Sequence, residues 1–154
     1  MRFTSPCYAV RSMAASRAFY ETVLGQKVVL DFGANVTFEG GFALQEDFPR
    51  LCGFPPENTV YRACNGELYF ETEDLDGDVR RLEDAGVELL SPIKEYPWGQ
   101  RVLRCFDPDG HILEIGEAMS LVVRRFLAQG LSEEETARRT QHPIEFVRAC
   151  REAP

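Results

Sequence analysis

The stretch Pro97-Trp98-Gly99-Gln100-Arg101-Val102-Leu103-Arg104-Cys105-Phe106-Asp107-Pro108-Asp109-Gly110-His111-Ile112-Leu113-Glu114-Ile115-Gly116-Glu117 decides the fold. Two runs with the composition of strands flank Asp107-Pro108-Asp109-Gly110. That tetrad joins a proline of fixed φ, a glycine free to take φ > 0, and aspartates able to accept from local amides, so it predicts a hairpin. In the second run Ile112, Leu113 and Ile115 are apolar and Glu114 is charged. A buried carboxylate without a partner is costly, so Glu114 must face water, a cation or a polar cavity.

Working outward, the chain carries one element order twice. Residues 3–10 read as a strand, Ser12 caps a helix bearing Met13, Ala18, Phe19, Val23 and Leu24, and Gly25 ends it. Strands follow at 27–31, 35–39 and 42–46, broken by Gly33 and Gly40-Gly41. Residues 47–65, with Pro49, Gly53, Pro55 and Pro56, read as a linker. The order then returns: a strand at 67–73, a helix capped by Asp74 or Asp76 and ended by Gly86, and strands at 87–93, 100–106 and 112–116. This is a βαβββ module repeated, with domain limits 1–46 and 66–117.

A strand ending in Asp107-Pro108-Asp109-Gly110 and followed by a strand carrying Glu114 resembles the last hairpin of the vicinal oxygen chelate superfamily, which holds glyoxalases, extradiol dioxygenases and the bleomycin- and fosfomycin-resistance proteins. Phe19-Tyr20, Val23-Leu24-Gly25, Phe70-Glu71, Asp74-Leu75 and Ala85-Gly86 extend the likeness over residues 1–117. The resemblance implies an α+β fold in which two βαβββ modules form a cup-shaped mixed sheet. It also implies a site drawn from equivalent strands of both modules: Ser5 and Gln45 from the first, Glu67 and Glu114 from the second. Neither His of the usual sites is present at these positions, and Ser5 is a weak donor. Gln45, Glu67 and Glu114 make an oxygen-rich set suited to a hard divalent ion, and Mg, Mn, Ni or Zn are the candidates. The alternative is a metal-free cup like that of the bleomycin-resistance branch.

Glu95-Tyr96-Pro97-Trp98-Gly99-Gln100-Arg101 has the composition of a ligand-binding rim, with an aromatic plate, an amide and a guanidinium; the plainer reading packs Trp98 on a helix and pairs Arg101 with a carboxylate. Tyr69 and Glu71 share parity with Glu67 and are expected to line the same cavity, joined by Arg104 if a bulge changes strand phase. Residues three apart on a strand point to opposite faces, so His111 is expected at the turn rather than beside Glu114.

Residues 118–154 lie outside the repeat and read as three short helices, with Ser132-Glu133-Glu134-Glu135 as a capping box and Pro143 opening the third. Leu131 to Val147 also resembles a helix-turn-helix, but the tail has six Arg against five Glu and no dense basic face. The net charge of −8 disfavours nucleic acid and anionic membranes as partners. No apolar run nears the roughly 20 residues that span a bilayer, and no signal-peptide core follows Met1, so a cytoplasmic protein is expected. Five scattered cysteines without a Cys-x-x-Cys pair read as reduced thiols.

Three functions follow as expectations. The first is a glyoxalase-like lyase or isomerase with the metal on Gln45, Glu67 and Glu114 and with Glu67 and Glu114 as catalytic carboxylates. The second is a metal-free small-molecule binding or sequestering protein using Trp98, Gln100, Arg101, Tyr69 and Glu71 on an aromatic or anionic ligand. The third, a minor one, is a regulator acting through the tail. The resemblance further implies a homodimer.

Overall fold

Strand alternation and helix caps set the elements of the computed structural model, which describes residues 1–152. The chain divides into two compact units. One holds Met1–Gly66 with Phe106–Ile112, and the other holds Glu67–Cys105 with the residues from Leu113 onward.

In the first unit β1 (Cys7–Val10) runs parallel to β4 (Ala43–Glu46), and β3 (Asn35–Phe38) and β2 (Val28–Asp31) complete a sheet in the order β1-β4-β3-β2. The Ser12 hydroxyl accepts from the Ala15 amide and starts α1 (Met13–Arg17). The helix then widens into a six-residue π turn, Ala18–Val23, where a continuous α-helix was expected. That turn buries Phe19 and Tyr20, and it brings the Tyr20 hydroxyl to Asp107 Oδ2 at 2.9 Å. Tyr20 packs with Phe38 and Phe42, which stack at 4.8 Å, and Val10, Val36 and Leu44 of the same sheet are buried. The expected linker contains a short helix, α2 (Phe48–Cys52), and a 3₁₀ turn, Pro56–Asn58. Its prolines fall at the first turns, where no amide hydrogen is needed, so they start these pieces rather than forbid them.

The last hairpin's tip belongs to this first unit. Asp107 Oδ1 accepts from the amides of Asp109 and His111, and Gly110 takes the positive φ of 85° that the turn demands. His111 Nδ1 lies 2.9 Å from Asp107 Oδ2, so the ring is held at the turn by a carboxylate as well as by backbone. Burial pushes the Asp107 carboxyl up, but the His111 ring, the local amides and Tyr20 outweigh it and hold the group below the usual carboxylate range. Burial raises Asp109 despite the Arg11 amide and guanidinium that bind it.

The second unit repeats the order. β5 (Glu67–Thr72), α3 (Leu75–Asp84), β6 (Leu89–Glu95), β7 (Arg101–Phe106) and β8 (Ile112–Glu117) form a sheet ordered β5-β8-β7-β6, the counterpart of β1-β4-β3-β2. Asp74 caps α3 through the Gly77 amide. The tail comprises α4 (Met119–Ala128), α5 (Glu133–Thr140) and α6 (Ile144–Glu152), and the capping box at Ser132 and Glu135 is formed. These helices belong to the second unit. Met119, Val122 and Phe126 form one apolar cluster with Trp98 packed against it, and Val123, Val147 and Cys150 form another. No helix among the described residues is long and apolar enough to cross a membrane.

Candidate functional site

The second unit's sheet carries a polar chain with a fixed direction. Along β5, Leu68 is buried while Glu67, Tyr69 and Glu71 face outward, as alternation requires. Trp98 Nε1–H donates to Gln100 Oε1 at 3.1 Å, and Gln100 Nε2 donates to Tyr69 Oη at 2.8 Å and to the Glu117 carbonyl at 2.9 Å. The Tyr69 hydroxyl donates onward to Glu71 Oε1 at 2.9 Å. Gly116 makes this approach possible, since a Cβ there would stand 2.7 Å from Gln100 Nε2 and 3.2 Å from Tyr69 Cε2. Burial pushes the Tyr69 phenol up to about 12, and Glu71 pushes the same way while the Gln100 amide opposes them. Tyr69 therefore remains a protonated donor at neutral pH.

This chain walls a cavity of about 420 Å³ lined by Tyr69, Glu71, Trp98, Gln100, Met119, Thr140, Gln141 and His142. Four of the residues singled out by the sequence meet there, and the other four come from the tail. Nothing in composition marked Thr140 or Gln141, and His142, next to Pro143, reads in sequence only as a cap. The signal that could have found them is the turn between α5 and α6, where Gln141 takes φ of 59° and His142 precedes Pro143. The His142 ring lies over Phe146 at 4.7 Å, and Phe146 packs against both tail clusters. Glu117 was missed as well. Its buried carboxylate takes the Arg101 amide at 3.1 Å and the Arg125 guanidinium at 3.1 Å, locking β8 to β7 and α4 behind Gln100.

Arg101 does not line this cavity. It lies on the other side of β7 by strand alternation, where its guanidinium binds Asp76 and Glu117, the carboxylate pairing that the plainer reading of the rim expected. Arg104 takes the cavity-side parity instead, without any bulge in β7 itself. Its guanidinium donates to Glu67 Oε2 at 2.8 Å, to the Tyr96 hydroxyl at 2.7 Å and to Glu114 Oε2. Tyr96 in turn stacks on Trp98 at 4.7 Å with an interplanar angle of 18°.

That arrangement bears directly on a metal. Glu67 and Glu114 do come together, but around a permanently charged guanidinium. A divalent ion on both carboxylates would have to displace Arg104 against like-charge repulsion. In the first unit, Gln45 Oε1 accepts from Asn35 Nδ2 at 3.0 Å and its amide donates to the Glu46 carbonyl at 2.6 Å, so its oxygen is already engaged. Ser5 precedes β1 and offers only a neutral hydroxyl. Among the described residues no three His, Cys, Asp or Glu side chains gather as a metal site. The residues expected to hold Mg, Mn, Ni or Zn do not fit a divalent ion as they stand.

Comparison with known proteins places these features in a family context. The family model of the glyoxalase-like domain matches residues 3–120. A protein of unknown function from Agrobacterium tumefaciens is 39% identical, with a TM-score of 0.66 over 77% of this chain and 94% of that one. A glyoxalase/bleomycin resistance protein/dioxygenase from Nocardioides is 24% identical, with a TM-score of 0.59 over 76% of this chain and 83% of that one. A lactoylglutathione lyase from A. tumefaciens is 22% identical, with a TM-score of 0.59 over 77% and 94%. The last two likenesses are of fold. No curated protein matches the chain. The matched region stops at residue 120, so three of the cavity residues, Thr140, Gln141 and His142, lie beyond it.

Proposed function

We propose, on the premise that this chain belongs to the glyoxalase-like domain family, that it is a small-molecule-binding protein whose site is the cavity of the second unit and which grips its ligand there without a resident metal. The cavity between Tyr69, Trp98, Gln100 and the turn at 140–142 carries this reading. At about 420 Å³ it is within the range of small-ligand pockets, and it combines apolar plates with a few convergent polar groups. Its walls are held before a ligand arrives. Tyr96 backs Trp98, and Gln100 is bonded on three sides. Little side-chain freedom is then left to lose on binding.

Fold membership does not select an activity. The metal-dependent lyase or isomerase reading calls on Gln45, Glu67 and Glu114 as ligands and on Glu67 as base. It fares worse because Glu67 and Glu114 are committed to Arg104. The regulator reading has less to rest on, since three of the tail's six arginines, Arg125, Arg148 and Arg151, are paired with Glu117 and Glu133. Assembly as a homodimer stands as a proposal from the family likeness, and the exposed Val29, Leu30 and Phe32 at the edge strand β2 offer an apolar surface for it.

Trp98 is the single tryptophan, so its fluorescence reports the site directly. Planar aromatic compounds are expected to quench it saturably with EDTA present, and calorimetry with Mg²⁺, Mn²⁺, Ni²⁺ and Zn²⁺ is expected to show no stoichiometric binding. Quenching that EDTA abolishes, or a stoichiometric heat that Glu114→Gln removes, would return the metal-dependent reading.

A further inference from the structure

The hydrogen bonds around the cavity run in one direction, and the direction names a ligand class. Trp98 spends its N–H on Gln100, Gln100 spends both amide hydrogens on Tyr69 and the Glu117 carbonyl, and Tyr69 spends its hydroxyl on Glu71. The Thr140 hydroxyl donates to the Thr136 carbonyl at 2.8 Å. His142 Nδ1 lies 2.8 Å from the Thr140 carbonyl. A carbonyl only accepts, so Nδ1 carries the hydrogen, and Nε2 of the neutral ring is left as an acceptor.

What these residues still offer is therefore acceptor capacity: the remaining lone pairs of Glu71, Nε2 of His142 and the π face of Trp98. Glu71 is the one charged residue of the lining, and it is negative. Of the guanidiniums beside the lining in sequence, Arg101 is spent on Asp76 and Glu117, Arg125 is spent on Glu117 and the Gly99 carbonyl, and Arg139 lies over the Phe126 ring at 5.8 Å. Of the lining residues, only the exposed Gln141 keeps side-chain donors that are not already spent. The lining itself holds no Lys or Arg to meet an anion, whereas a protonated amine on an aromatic or apolar frame would satisfy a carboxylate, an imidazole lone pair and an aromatic face together.

We infer that the ligand is an organic cation, an aromatic or apolar amine, and that the tail turn at 140–142 is a specificity-determining part of the site, with His142 and Glu71 accepting the ammonium hydrogens. The inference rests on reading the cavity as the ligand site, and it adds residues that lie outside the matched region 3–120.

Three probes of one shape separate the possibilities: phenethylamine, 3-phenylpropionate and 2-phenylethanol, titrated into the full chain in EDTA and followed by Trp98 fluorescence and its indole ¹H–¹⁵N signal. The amine is expected to bind at least roughly tenfold tighter than the carboxylate, about 1.4 kcal/mol. Glu71→Gln, at an exposed position, and His142→Phe, which keeps the ring stack on Phe146 and removes Nε2, should each reduce that preference to below about threefold with the circular-dichroism melt retained. Equal or tighter binding of the carboxylate or the alcohol overturns the cation assignment while leaving the cavity as a ligand site. Full preference in the His142→Phe variant overturns the role of the tail turn. A Trp98 signal unmoved by all three probes refutes the cavity itself as the site.

Discussion

At the scale of single residues, Arg104 is the side chain whose placement changes the chemistry most. Sequence placed Glu67 and Glu114 on the first and last strands of the second module, and parity along β7 left open which face Arg104 would take. Its guanidinium fills the place between the two carboxylates and links them, through Tyr96, to Trp98. Removing it should leave two neighbouring carboxylates without their cation. Arg104→Ala is therefore expected to bind Mn²⁺ weakly, in about the 10⁻⁴–10⁻³ M range, where the parent chain does not. Calorimetry checks this, and Glu114→Gln added to the variant should abolish the gain. A parent chain that binds Mn²⁺ as well as the variant does would show that Arg104 is not what keeps a metal out. The carboxylates could be found from the strands that the family resemblance marks, but their partner could not, because a one-residue change of strand phase would have sent Arg104 to the opposite face.

Among the elements, the ones with local signals were legible and the ones shaped by contact were not. Ser12, Asp74 and Ser132 each cap the helix that their position in the chain announces. The π turn at Ala18–Val23 has no such signal. It answers to the distant Asp107, whose carboxylate the Tyr20 hydroxyl reaches. The tail shows the same division. Its helices follow from their caps and stripes, but the wall that it gives the cavity depends on how α4 seats against the turn before β7. Gly99 governs that seat. It takes φ of 88°, and a Cβ there would run into the Phe126 ring. Gly99→Ala combines left-handed strain with overpacking and should cost about 2–4 kcal/mol in urea unfolding. Adding Phe126→Leu should recover the overpacking share and leave the backbone share. An equal loss in the single and double variants would assign the whole cost to backbone strain and detach α4 from the argument.

Across the whole molecule, the internal repeat was legible because both halves keep the same order of strand, helix and three strands, and both sheets have equivalent strand orders. The exchange of residues 106–112 into the first unit was not legible, because it depends on partners far away in sequence: Tyr20 for Asp107 and Arg11 for Asp109. The acid stability of the chain should report on that tip. Folding lowers the Asp107 pKa, so its contribution is fully present above the unfolded value of about 3.9 and is lost as pH falls through the lowered folded value. Asp109, whose pKa folding raises, works in the opposite sense: its ionisation costs stability as pH rises through the carboxylate range. Asp107→Asn keeps an acceptor for the turn amides and removes the charge beside His111. It is expected to lower stability at pH 7 by about 1.5–3 kcal/mol, the range for a hydrogen bond to a charged group. Melting curves taken from pH 7 down to acid should show the gap between parent and variant closing once Asp107 is protonated in both states. A gap that stays constant over that range would mean that the tip is held by shape alone. The carboxylate's charge would then have no part in keeping residues 106–112 with the first unit.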